Sequence, residues 1–152
     1  MKKIYKTIAY TRVSADIFHY GHLRLIESAK KIADHHICGL YSDELCLKWN
    51  GSLIMNFNER AAILKALCFV DEVIEQDILD PTNNLENIHK RFPKSKIIFF
   101  QGHQEWKGLP GTNYVKSIDG EIIKPDYYSR LTRSKIRDEL NNNKGAYEFA
   151  LV

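Results

Sequence analysis

The chain has 152 residues, 44% hydrophobic and 27% charged, the size and make-up of one soluble globular domain, which excludes a wholly disordered chain. Lys and Arg number 22 against 19 Asp and Glu, a formal charge of +3; nucleic-acid binders carry a larger, clustered excess, whereas a small anionic ligand fits. Cys38, Cys46 and Cys68 are too few for a disulfide framework, and neither a signal peptide nor an apolar run of about 18 residues is found. A cytoplasmic protein with reduced thiols and no membrane or nucleic-acid partner is expected.

Ile4 to Val13 is β-rich and predicts the first strand. Gly21 to Ala33 sets Leu23, Ile26, Ala29 and Ile32 at helical spacing. Ile37 to Tyr41 is a short apolar run that stops at Ser42-Asp43 and predicts a buried strand. Asn58 is the expected cap of a helix with the stripe Ala62, Ile63, Ala66 and Leu67. Val70 to Ile74 predicts another strand, Asn83 to Phe92 a helix, and Lys96 to Phe100 a buried strand stopped by Gly102. A loop rich in Gly and Pro follows at Gly108-Leu109-Pro110-Gly111. The last helix runs from Thr132, a good cap, to Leu140.

This alternation predicts an α/β fold with a mostly parallel sheet and helices on both faces. Ligands of such sheets bind beyond the carboxyl ends of the strands, at the switch point. The chain has no Gly-x-Gly-x-x-Gly and no Walker A lysine loop, so an NAD fold or a P-loop NTPase is unsupported. Residues 1–144 read as one nucleotide-binding domain and 145–152 as a short C-terminal extension.

The segment Asp16-Ile17-Phe18-His19-Tyr20-Gly21-His22 lies between the first strand and the first helix. Gly21 lets a ligand approach the backbone, and the helix start behind it offers N–H groups and a positive dipole end to phosphate. Imidazole N–H groups there can donate to phosphate oxygens whose charge grows during displacement. The rival reading is a turn followed by two exposed histidines.

This segment resembles the His-x-Gly-His signature of the cytidylyltransferase branch of the nucleotidyltransferase superfamily, which includes glycerol-3-phosphate and choline-phosphate cytidylyltransferases. Ser42-Asp43-Glu44-Leu45, Gly51, Met55-Asn56, Asn58-Glu59-Arg60 and Val70-Asp71-Glu72-Val73 follow in family order. Leu131-Thr132-Arg133-Ser134-Lys135-Ile136 resembles the signature that opens the family's last helix. The resemblance implies a Rossmann-like three-layer sandwich and transfer of CMP from CTP to a small phosphorylated alcohol or phosphonate. It implies catalytic roles for His19, His22 and either Arg130 or Arg133. Ser14, Asp16, Gly21, Gly102, Thr132 and Ser134 would contact the nucleotide, Lys48 and Trp106 the acceptor, and Arg60 the acceptor or the nucleotide. Magnesium is expected with CTP, held by triphosphate oxygens and water rather than by protein ligands, and a homodimer is expected.

The sequence departs from the family pattern at several places. Val13 and Ala15 replace a glycine and a phenylalanine, Asn50 replaces a lysine, and His103 replaces an acid. The arginine before the last helix has moved to Arg130 or Arg133. Adenylyl transfer is a second reading, disfavoured because Ile17-Phe18 stands where those relatives carry a proline. A binding module that has lost turnover is a third. His35, His36, Cys38 and Cys46 match no zinc spacing. Trp49, Trp106, Tyr127 and Tyr128 are loop aromatics that could line an acceptor pocket, with Asp43, Glu44 and Asp126 near an amine.

Overall fold

A computed structural model describes residues 4–101 and 111–143. Its described residues form five strands and six helices: β1 (Thr7–Val13), α1 (Tyr20–Ile32), β2 (His35–Tyr41), α2 (Asp43–Asn50), α3 (Phe57–Lys65), β3 (Glu72–Gln76), α4 (Thr82–Arg91), β4 (Lys96–Phe100), α5 (Thr112–Ser117), β5 (Glu121–Ile123) and α6 (Arg133–Asn142). The strands form one sheet in the order β3-β2-β1-β4-β5, with every pairing parallel. The chain winds outward from β1 through β2 to β3, then crosses to the other side of β1. The switch point therefore lies between β1 and β4, where their carboxyl ends diverge.

Alternation along the strands divides the core between two faces. Ile8, Tyr10, Ile37, Ile97 and Phe99 point toward Leu85 and Ile88 of α4 and Val115 of α5. Val13, Cys38 and Leu40 meet Ile26 of α1 and Ala61 and Leu64 of α3. Ala9, Ile98 and Phe100 pack on Ala29 of α1. The result is the α/β three-layer sandwich expected, with helices on both faces. No helix among the described residues is long and apolar enough to cross a membrane.

Several boundaries differ from the sequence reading. β1 begins at Thr7, because the Asp34 carboxylate takes the N–H groups of Lys6 and Thr7. The cap of α3 is Asn56 rather than Asn58: its side chain accepts from Glu59 N–H, and the Glu59 carboxylate accepts from Asn56 N–H. β3 is displaced to Glu72–Gln76, so Val70 sits in the preceding turn. Ser42-Asp43, the expected stop of β2, also opens α2, which Ser42 caps by accepting from Leu45 N–H. Gly51 ends it in the left-handed region at φ 71°, which suits a residue without Cβ. α5 and β5, of 6 and 3 residues, are too short to show a period.

Candidate active site

The sequence between β1 and α1 builds a helix cap out of imidazoles. His19 is the cap residue, and its Nδ1 accepts from Gly21 N–H at 3.0 Å. His22, three residues on, takes the place that Glu or Gln usually fills: its Nδ1 accepts from His19 N–H at 3.3 Å. Both Nδ1 atoms act as acceptors, so the ring proton of each neutral imidazole sits on Nε2. The two rings lie side by side, 3.9 Å between centroids. The backbone thus fixes a pair of Nε2–H donors at the start of a helix. A Cβ on Gly21 would lie 2.9 Å from His19 Cε1, so glycine is what lets the His19 ring fold back onto the cap.

Burial pushes both histidines below their ordinary values, and His22, crowded also by His19, falls to about 3. Both rings are neutral donors at physiological pH. Charge complementary to phosphate comes instead from Arg12, Arg24, Lys31, Lys124 and Arg133, which border the same cleft of about 850 Å³ against Glu27 and Asp126. The cleft opens at the carboxyl ends of β1 and β4, as the switch point requires.

Of the other expected site residues, Gly21, Thr132, Arg133 and Ser134 line this cleft. Thr132 caps α6 by accepting from Lys135 N–H at 3.2 Å. Arg133 is tied in place by Asp16 and by the Ser52 hydroxyl and carbonyl, at 3.0–3.2 Å. Arg130 is exposed and borders a separate shallow groove along α6. Trp49, Tyr127, Tyr128 and Asp126 reach the cleft, and Tyr128 packs edge-on against Tyr20 at 5.1 Å. Gly102 and Trp106 lie outside the described residues.

Two residues assigned to ligands are instead buried braces. Asp16 is fully buried; Oδ1 accepts from Ile54 and Met55 N–H at 2.8 and 2.9 Å, and Oδ2 from Arg133 at 3.0 Å. Burial would raise its carboxyl, but these N–H groups and Arg133 outweigh that and hold it below the ordinary value. Arg60, expected at the acceptor or the nucleotide, is 0% exposed. Its Nε donates to Met55 O, Nη1 to Ser14 O and Tyr41 O, and Nη2 to Asp43, at 2.6–3.0 Å. It has no free edge for a substrate; it clamps together the ends of β1 and β2 and the loop before α3. Ser14 contributes that carbonyl and is not among the cleft residues, and Asp43 is committed to Arg60 rather than to an amine. Lys48 is exposed on α2 and is likewise not among the cleft residues, although its neighbour Trp49 is.

Sequence reading overlooked Arg12, Arg24 and Gln101, which also line the cleft. The signal was positional: Arg12 is near the carboxyl end of β1, and Gln101 directly follows β4.

The described residues contain no cluster of three or more His, Cys, Asp or Glu suited to a metal ion. Asp16 is already saturated by N–H groups and a guanidinium.

Residues 13–148 match the family model described as cytidylyltransferase-like. The chain is 36% identical over 93 residues to the glycerol-3-phosphate cytidylyltransferase of Bacillus spizizenii, covering 61% of this chain and 67% of the relative. It is 32% identical over 115 residues to the bifunctional protein HldE of Campylobacter fetus, covering 74% of this chain but only 24% of that protein. A lipopolysaccharide core biosynthesis protein from Thermoplasma volcanium superposes with a TM-score of 0.65 at 20% identity, over 81% of this chain and 98% of that one, which bears on the fold. The family match spans the histidine cap, the Asp16 and Arg60 braces and the start of α6, and the chain belongs to the cytidylyltransferase-like family of nucleotidyltransferases.

Proposed function

We propose that the protein transfers CMP from magnesium-bound CTP to a small phosphorylated alcohol or phosphonate. The observation that carries this reading is the pair of Nε2–H donors of His19 and His22, held side by side by the α1 cap on a cleft with surplus positive charge. An acceptor oxygen forms a bond to the α-phosphorus of CTP; the bond from that phosphorus to the bridging oxygen breaks, and pyrophosphate leaves with the electron pair. The histidines donate to the α-phosphate oxygens as their charge grows, an interaction stronger in the transition state than in the ground state. Arg133 and the start of α6 face the leaving phosphates, and Asp16 keeps Arg133 aimed. The protein does little covalent work; it positions and stabilises charge. Magnesium enters as part of the nucleotide substrate, on triphosphate oxygens and water. The reading places the reaction among water-borne substrates of the cytoplasm, in a homodimer whose mass light scattering would give.

The test is pyrophosphate release with magnesium and either CTP or ATP, across phosphorylated alcohols and phosphonates. Release with CTP and formation of a CDP-linked product are expected. Turnover with ATP alone moves the protein to adenylyl transfer. Tight CTP binding with no release from any acceptor makes it a binding module.

A further inference from the structure

The cleft that holds the histidines also carries polar groups that the transfer step leaves unused. β1 and β4 run parallel with Tyr10 beside Phe99. Two residues further on, at matching positions past that pair, stand Arg12 and Gln101, both bordering the cleft. The Arg12 guanidinium lies 5.2 Å from the centre of the Phe99 ring, and its Nη1 donates to the Leu79 carbonyl, so its position is fixed. Gln101 is 3% exposed, and its Nε2 donates to Thr112 Oγ1 at 3.4 Å. Each keeps one buried polar atom without a hydrogen-bond partner among the described residues: Nε of Arg12, a donor, and Oε1 of Gln101, an acceptor. Buried polar groups are nearly always paired, because leaving one unpaired is unfavourable. An unpaired donor and an unpaired acceptor, on two residues that line one cleft and follow the paired Tyr10 and Phe99 of adjacent strands, call for a ligand that brings both complements.

We propose that Arg12 and Gln101 form the acceptor subsite and select an acceptor with a hydrogen-bond donor close to its anionic group. This rests on the nucleotidyl-transfer reading and names its substrate class: phosphates or phosphonates that carry a hydroxyl or a protonated amine. Arg12 donates to an anionic oxygen of the acceptor. The terminal amide torsion of Gln101 is soft, so Oε1 turns to the cleft and accepts from the hydroxyl or ammonium. A quaternary ammonium has no N–H; it would leave the Gln101 oxygen unpaired and is selected against. Tyr128 does not compensate, because its ring already carries the guanidinium of Arg24, 5.3 Å from its centroid.

The test compares sn-glycerol 3-phosphate, O-phosphoethanolamine, 2-aminoethylphosphonate and phosphocholine on the full chain, by calorimetric binding and by kcat/KM with magnesium and CTP. At least one of the first three is expected to beat phosphocholine by roughly tenfold or more. Gln101→Met should shrink that preference to about threefold or less, and Arg12→Met should raise the acceptor KM roughly tenfold, both with the CTP KM unchanged. Gln101→Glu, a second variant in case the first fails to fold, should favour amine over hydroxyl acceptors. Preference for phosphocholine in the wild type, binding by none of the four, or variants that shift CTP rather than the acceptor overturns the proposal. CTP binding and pyrophosphate release are read separately, so nucleotidyl transfer and this subsite fail by different results.

Discussion

His19 and His22 on one side, and Arg60 and Asp16 on the other, belong to the same set of family motifs and end in opposite states. The histidines spend one nitrogen each on the α1 cap and keep the other as a donor beside the cleft. Arg60 and Asp16 keep nothing: main-chain groups, Asp43 and Arg133 take up their bonding capacity in the interior. Charged residues in a motif therefore need not touch substrate. Here the braces hold the ends of β1 and β2 in place so that a short imidazole cap can be presented rigidly.

Removing a brace should have the largest effect. Arg60→Ala leaves Asp43 and three carbonyls without their partner, and stability should fall by about 3–5 kcal/mol, measured by urea denaturation. Arg60→Lys should recover little, since one ammonium cannot span the same fork of acceptors. Near-normal stability in either variant would undo the contrast.

Acid should act next. His36 is buried, with Nδ1–H donating to Phe69 O at 2.7 Å and Nε2 accepting from the Thr11 hydroxyl at 2.8 Å. Burial outweighs its bond to Phe69 and the nearby Asp71, and pushes it down to about 4. The folded state then binds fewer protons than the unfolded chain between pH 4 and the ordinary 6.5. Its contribution is present above pH 6.5 and is lost as pH falls toward 4, up to about 3 kcal/mol. His36→Gln should lower stability at neutral pH and flatten the fall, as denaturant midpoints across pH would record; an unchanged slope would show that other groups carry it.

On the histidine side the order reverses, with activity more sensitive than stability. His22→Ala should cut kcat by roughly a hundredfold or more with CTP binding less affected. If affinity falls and turnover does not, the donor pair does not act in the transition state. Gly21→Ala is milder: the new Cβ meets the His19 ring at 2.9 Å, and a tilted donor should lower kcat roughly tenfold, with little change in thermal midpoint.

The sheet and its helices were legible because buried parallel strands such as Ile37–Tyr41 and Lys96–Phe100 are short apolar runs, and α1 keeps its period over three turns. The histidine cap was legible because one continuous segment supplies all its atoms. The clamp around Arg60 was not, because its partners lie up to 46 residues away and nothing in Asn58-Glu59-Arg60 says whether the guanidinium turns inward. Nor was Arg133 distinguishable from Arg130, since only the path of the chain into α6 puts one on the cleft and the other outside it.

The sequence by itself determined the alternating α/β order, the family and the donor pair at the start of α1, since local periodicity and one compact motif carry each. Only the tertiary structure decided which charged and polar groups are spent on the scaffold and which keep an unpaired atom on residues of the cleft, as Arg12 and Gln101 do among the described residues. That assignment depends on burial and on partners distant in sequence, and those exist only once the strands have closed into a sheet.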